Sequence, residues 1–268
     1  MFDHTVGSLG PISVVIPVRD ESPEVLRDVL HTRPKHWEVI VVDDGSLTPS
    51  PHATIRFEQP RGYGAALKAG IQKAKHRYIA TMDGDGQHTF RDIERLWDFM
   101  QYFPNNAMVI GDRRLKERQP RRWIGRKVLN TIAGLFAWRW ISDLNSGARV
   151  FRRDVVMGYF PILCDQFSFT TSLTLSMLAD GYEVDFLQIK VHQRKVGESR
   201  VKLWRDGWRT LRLICWLGLA LRTRRLRRWW RGFRHGVILR VRGAASLRDL
   251  RCDCRVCYRS GDAQPLWE

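Results

Sequence analysis

Apolar residues fall in short β-branched blocks that alternate with stretches of helical spacing. Ile12 to Val18 reads Ile-Ser-Val-Val-Ile-Pro-Val and predicts a buried first strand, with Pro17 near its end, where a missing N–H does least harm. Trp37 to Val42 repeats the pattern. Thr54 to Phe57 reads as a weaker strand, Arg77 to Met82 and Met108 to Ile110 as two more, and Val184 to Val191 as extended. Between them, Ser22 can cap a helix with Pro23 in its first turn and Glu24 beside the positive end of its dipole, while Val25, Leu26, Val29 and Leu30 recur at helical spacing. A helix running through Lys75 carries the small residues Ala65, Ala66, Ala69 and Gly70, which permit close approach to a sheet. Ile93, Leu96, Trp97 and Met100 form a core stripe, Arg121 to Trp138 a basic amphipathic stretch, and Thr170 to Ala179 a helix stopped by Gly181. Strand alternating with helix implies the α/β class with a mainly parallel sheet.

Acids gather where those strands end. Glu21 follows the first, Asp43 and Asp44 the second, and Asp83 and Asp85 the strand from Arg77 to Met82. In a parallel sheet these ends share the carboxyl edge, where open α/β sheets bind ligands. Like charges crowded there require a cation or hydrogen-bond donors. Asp83-Gly-Asp85 is a hard-oxygen pair suited to Mg²⁺ or Mn²⁺, a cation that keeps waters and is shared with substrate phosphates. A polar turn with two solvated acids is the alternative for that motif taken alone.

The ordered set resembles the family 2 glycosyltransferases of GT-A fold, in particular their polyprenyl- and dolichyl-phosphate mannosyltransferase-like branch. The matching residues are Val14 to Glu21, Val41 to Ser46, Arg61-Gly62-Tyr63-Gly64, Met82 to His88, Ser142-Asp143 with Ser146-Gly147, and Arg194 to Arg200, in family order across the first 200 residues. The resemblance implies a Rossmann-like sheet flanked by helices and an inverting transfer from a nucleotide sugar. It implies that Pro17, Arg19 and Glu21 line the nucleoside pocket and that Asp43, beside Asp44, reads the base, a carboxylate being an acceptor for base N–H groups. It implies that Asp83, Asp85 and Gln87 hold the metal and sugar diphosphate, and that Arg113, Arg194 and Arg200 clamp the diphosphate or the incoming lipid phosphate. Arg200 replaces the Lys common in relatives, and Phe90 a Pro. A solvated surface charge is the alternative for each arginine. Asp143 and Asp165 are candidate acceptor-side acids, or loop residues that cap turns. A phosphate monoester acceptor is already largely ionised at neutral pH and needs no general base, unlike a sugar hydroxyl.

Charge adds a second theme. Of the net +17, the stretch 200–242 supplies +13, with fourteen basic residues against the single acid Asp206. Trp204, Trp208, Leu211, Ile214, Leu217 and Leu221 recur there at helical spacing, followed by Arg222 to Arg228 and Trp229-Trp230. Tryptophan with arginine suits an anionic membrane surface, and the helix would lie in the membrane plane. A helix packed on the catalytic domain is the alternative. The reading is therefore a catalytic domain over 1–200, interfacial helices over 201–242 and a tail over 243–268. The longest uncharged apolar stretch, Leu213 to Leu221, is too short to span a bilayer. Nor does Met1 to Gly10 resemble a signal peptide. The expected location is the cytoplasmic face of the membrane, peripherally bound. Five cysteines show no disulfide pattern, and Cys252, Cys254 and Cys257 read as thiols. Two other functions stay open: a soluble family 2 enzyme acting on a saccharide or protein, and a nucleic-acid-binding protein, which would leave the acids unused and is not expected.

Overall fold

The computed structural model describes residues 10–113, 120–137, 139–190, 208 and 210–218, except the side chains at 120–124 and 126. The elements are β1 (Ile12–Val18), α1 (Pro23–His31), β2 (Glu38–Asp43), β3 (Ile55–Arg56), α2 (Tyr63–Lys73), β4 (Tyr78–Thr81), α3 (Phe90–Tyr102), β5 (Met108–Asp112), α4 (Pro120–Ala137), β6 (Arg149–Arg152), α5 (Arg153–Met157), α6 (Phe169–Ala179) and β7 (Val184–Gln188). They build one seven-stranded sheet in the order β3-β2-β1-β4-β6-β5-β7.

β1 pairs in parallel with β2 and β4, placing Val18 opposite Asp43 and Val15 opposite Thr81. β6 runs antiparallel to both β4 and β5, so β5 has the same direction as β4. The ends of β1, β2, β4 and β5 and the start of β6 therefore share one edge. This is the arrangement the acidic strand ends require.

Two apolar layers enclose the sheet, because successive side chains along a strand point to opposite faces. Val15, Val42 and Ile79 belong to the layer that contains Leu67, Ile71, Leu173 and Met177. Ile16, Val41 and Ala80 belong to the layer with Leu26, Ile93, Leu96 and Trp97. Gly70 lets α2 come close: a Cβ there would lie 2.3 Å from Val15 Cγ1. α1 starts at Ser22, whose hydroxyl accepts from Val25 N, with Pro23 in the first turn. α3 starts with a capping box, Thr89 and Asp92 each satisfying the other's backbone N–H. Phe90 is buried at the start of that helix and faces Trp37 at 6.3 Å, an apolar contact at the helix entry.

Four features differ from the pattern reading. β6 was not expected, because Arg-Val-Phe-Arg carries a charge at each end. The weak strand over Thr54 to Phe57 pairs only at Ile55 and Arg56, and the extended stretch from Val184 is a strand only as far as Gln188. Helical residues 210–218 lie on the catalytic domain: Leu213, Ile214 and Leu217 are buried, and a Cβ on Gly218 would meet the Phe136 ring. Part of the stripe assigned to a membrane thus faces protein, while Trp208 and Trp216 remain exposed. Helical periodicity reports that a face is apolar and not what covers it. The rest of 201–242, the tail and its three cysteines lie outside the described residues.

Candidate active site at the carboxyl edge of the sheet

β4 ends at Thr81, and the chain turns through Asp83 to His88 before α3 begins. Thr81 Oγ1 donates to the Gly147 carbonyl at 2.7 Å, which fixes the loop preceding β6 beside the end of β4. A Cβ on Gly147 would lie 2.5 Å from both Asp83 carboxylate oxygens, so that carboxylate rests against bare backbone. Tyr63, the first residue of α2, donates its hydroxyl to Asp83 Oδ1 at 3.0 Å and stacks on Phe167 at 5.5 Å between centroids. Burial, and then the Asp83 charge, push the Tyr63 pKa well above its ordinary value. Its proton stays on, and the phenol acts as a donor.

On the other side, His88 Nε2 lies 3.9 Å from Asp83 Oδ2. The imidazole is wholly buried, and among the described residues neither ring nitrogen has a hydrogen-bond partner. Burial pushes its pKa below the usual value against the opposing pull of Asp83. Among the described residues no Lys or Arg forms an ion pair with Asp83. Asp85 Oδ1 accepts from Gln87 N at 3.0 Å, so both residues belong to one tight turn and are half-buried.

This donor set fits a hard divalent cation. Such ions commonly take one or two protein carboxylates and complete their shell with waters and substrate phosphates. Among the described residues no group of three or more acids, histidines or cysteines gathers as a self-sufficient metal cage.

The β1 and β2 loops form the neighbouring rim. Asp20, at φ 47°, accepts from Leu47 N at 2.7 Å, and its own N–H donates to Ser46 Oγ at 2.8 Å. Asp43 is fully buried and accepts from Ser46 N, Ser46 Oγ, Ser50 N and Arg56 Nη1 at 2.6–3.0 Å. Those four donors match the acceptor capacity of a carboxylate. Burial alone would raise the Asp43 pKa, but the Ser46 and Ser50 hydrogen bonds and the Arg56 charge outweigh it and lower it. Asp44 accepts from Arg61 N at 2.7 Å and from Gly62 N at 3.0 Å, tying β2 to the start of α2. Its pKa is raised, because burial exceeds the effect of those N–H groups. Gly62 has φ 115°, and a Cβ there would lie 2.4 Å from the Asp165 carbonyl, so glycine is required at that start. Pro17 is buried within β1, Glu21 is half-buried just before the α1 cap, and Arg19 is exposed, 3.9 Å from Asp20.

Arg113 follows β5 and grips Asp143 with two hydrogen bonds, Nε to Oδ2 at 2.8 Å and Nη2 to Oδ1 at 3.1 Å. Burial opposes its charge, but Asp143 outweighs burial and raises the pKa. Arg149 is buried at the start of β6, and its guanidinium donates to the carbonyls of Leu144, Ser146 and Thr170 and to Thr174 Oγ1. Burial lowers its pKa to about 10, which leaves it charged at neutral pH. It holds the loop that presents Gly147 to Asp83. Asp165 pairs with Lys68 at 2.7 Å.

The structure thus brings Asp83, Asp85 and Gln87 onto one turn, with Asp43, Asp44, Glu21, Arg19 and Pro17 on adjacent strands or loops of the same edge. Arg113 sits there too, already paired. Arg194 and Arg200 lie outside the described residues. Sequence reasoning assigned no role to Tyr63, His88, Gly147 or Arg149. Tyr63, His88 and Gly147 stand inside the motifs that carried the family resemblance, the one signal that could have found them.

Residues 13–160, more than half of the chain, match Glycosyl transferase family 2, and the protein belongs to that family. It is a glycosyltransferase. It is similar to the dolichyl-phosphate beta-glucosyltransferase of Saccharomyces cerevisiae, 25% identical over 236 residues that cover 73% of this chain and 70% of that protein. It is also similar to the polyprenol monophosphomannose synthase of Mycolicibacterium smegmatis, 26% identical over 214 residues, 70% of this chain and 80% of that one. Among solved structures, glucosyl-3-phosphoglycerate synthase of Mycobacterium tuberculosis, in complex with Mn²⁺, uridine diphosphate and phosphoglyceric acid, aligns with a TM-score of 0.64. That alignment covers 81% of this chain and 84% of that one at 15% identity, and what it establishes is the shared GT-A-like fold.

Proposed function

We propose that this enzyme moves a hexose from a nucleotide sugar, of the UDP-glucose or GDP-mannose type, to the phosphate of a polyprenyl phosphate, inverting the anomeric carbon. The observation that carries this reading is the Asp83 carboxylate: set at the sheet edge beside Asp85, held by a protonated phenol, and lacking a basic side-chain partner among the described residues. Asp83, Asp85 and Gln87 would hold Mg²⁺ or Mn²⁺, which offsets charge on a departing diphosphate. Arg19, Glu21, Asp43 and Asp44 border the pocket for the nucleoside, with Pro17 in the strand beneath. Asp43 acts there chiefly by fixing the Ser46–Ser50 loop, since its lone pairs are engaged. Arg113 contributes positive charge from its pair with Asp143, and Arg194 and Arg200 clamp phosphate groups.

The lipid acceptor is supported by the names of the yeast and mycobacterial relatives and by the state of two acids. Asp143 and Asp165, the candidate acceptor-side acids, are tied to Arg113 and Lys68. An ionised phosphate requires neither. Action at the cytoplasmic face of a membrane, in synthesis of cell-envelope glycans, is supported by the basic 222–242 stretch. It is supported too by exposed apolar side chains at Val128, Leu135, Trp140, Trp208 and Trp216. Among the described residues no helix is long and apolar enough to cross a membrane.

The test supplies the full-length chain with Mn²⁺, labelled UDP-glucose or GDP-mannose, and polyprenyl phosphate in anionic vesicles. Label in the extracted lipid is the expected result. Label transferred only to a soluble saccharide or peptide overturns the lipid acceptor. Salt-sensitive DNA binding without nucleotide-sugar turnover overturns the donor assignment as well.

A further inference from the structure

We propose that His88 is a positioning residue whose buried imidazole N–H secures the second carboxylate oxygen of Asp83 when the diphosphate site is filled. The inference rests on the reading of Asp83 as a diphosphate and metal ligand.

His88 is 0% exposed, and both Nδ1 and Nε2 lack a hydrogen-bond partner among the described residues. A neutral imidazole always presents one N–H and one lone pair. Leaving them unmatched in a protein interior is unfavourable, and an apolar side chain of similar size would avoid the penalty. Nearby acids are committed elsewhere. Asp92 accepts from the Thr89 N–H and hydroxyl, and Asp143 holds Arg113. The acceptor that faces the ring is Asp83 Oδ2, 3.9 Å from Nε2.

That separation is about 1 Å longer than a hydrogen bond. The terminal torsions of both the aspartate and the imidazole are soft, and together they can share the movement that closes it. Movement in the opposite direction is limited, because Oδ1 is bound by Tyr63 and the carboxylate abuts Gly147. Once closed, Tyr63 holds one oxygen and His88 the other. The carboxylate then has a single orientation, and its outward lone pairs face the site. Hydrogen bonds behind a ligating carboxylate commonly change metal affinity by about 10- to 100-fold.

The experiment uses the full chain with His88→Leu, His88→Gln, His88→Asn and Asp83→Asn. Mn²⁺ binding is read from the paramagnetic signal of unbound Mn²⁺, with uridine diphosphate or guanosine diphosphate present, and the melting temperature is recorded for each protein. The leucine variant is expected to melt at or above the wild-type temperature while binding Mn²⁺ about 10-fold or more weakly. Glutamine, whose amide nitrogen falls near Nε2, is expected to restore most of the affinity. Leucine binding equal to wild type, with Asp83→Asn defective, overturns the role of His88 and leaves the site reading intact. Absence of Mn²⁺ binding by the wild type with either nucleotide overturns both. If the leucine variant does not fold, glutamine against asparagine decides: tight binding by glutamine alone supports the proposal, and equal binding overturns it.

Discussion

Asp83, Asp85 and Asp43 are chemically alike and sit in three different environments, which gives them different failure modes. Asp85 belongs to the turn that Gln87 closes, and its substitution by Asn keeps the size while removing the charge. Loss of several kcal/mol of charge stabilisation corresponds to at least about 100-fold in rate, so Asp85→Asn is expected to abolish most nucleotide release with Mn²⁺ at an unchanged melting temperature. An unchanged kcat would remove Asp85 from the site. Asp43 is instead held from within the fold, its buried carboxylate taken up by Ser46, Ser50 and Arg56. Asp43→Asn is expected to destabilise by roughly 3 kcal/mol, read from urea midpoints at pH 7. Its folded pKa is depressed, so the stability it contributes is present above the unfolded value and lost as pH falls through the folded one. The difference between wild type and Asp43→Asn should therefore shrink as pH drops below about 4. A constant difference from pH 7 to pH 3 would show that the carboxylate charge contributes nothing.

Elements deliver these side chains only where backbones come close, and glycine permits two of these approaches. At Gly147 a methyl group would displace the Asp83 carboxylate, whereas at Gly70 it would push α2 away from Val15 and Val42. Gly147→Ala is expected to lower kcat at least about 10-fold with little change in stability, because the group that must move is the carboxylate proposed to hold the metal and diphosphate. Gly70→Ala should do the reverse, costing about 1–3 kcal/mol through overpacking while leaving activity intact at low temperature. Comparing urea midpoints with initial rates for the pair checks both, and identical profiles would contradict the assignment. This division also explains what the sequence could disclose. β1, β2 and β4 are mainly apolar runs with acids at or just after their ends, so the edge and its carboxylates were legible without coordinates. β6 was hidden because Arg149 looks like a surface charge until the carbonyls of Leu144, Ser146 and Thr170 are seen around it. The link from Tyr63 to Asp83 spans 20 residues, and the burial of His88 depends on packing, so neither leaves a local pattern.

Across the whole molecule, the near-neutral catalytic domain and the basic stretch that follows are joined by a helix with two faces. Ile214 and Leu217 are buried against the domain, while Trp208 and Trp216 are exposed. Burying Ile214 and Leu217 is worth on the order of 3–6 kcal/mol as an upper bound, so the helical residues 210–218 are expected to contribute to the stability of the fold. Two shortened chains separate these contributions. A chain ending at residue 202 loses the docked helix and should melt on the order of 10 °C lower, even with its acidic edge intact. A chain ending at residue 218 keeps Ile214 and Leu217 but lacks the nine arginines from Arg222 to Arg242. It is expected to melt near the full-length temperature and to bind Mn²⁺ with nucleotide diphosphate normally. Each arginine near an anionic surface contributes about 1 kcal/mol, an attraction screened by salt. Sedimentation with anionic vesicles should therefore fall to background for the 218-residue chain, whereas the full chain should bind at low salt and release as salt rises. Equal vesicle binding by both would locate the membrane contact on the catalytic domain, at side chains such as Leu135, Trp140 and Trp216, and leave the arginines without a membrane role.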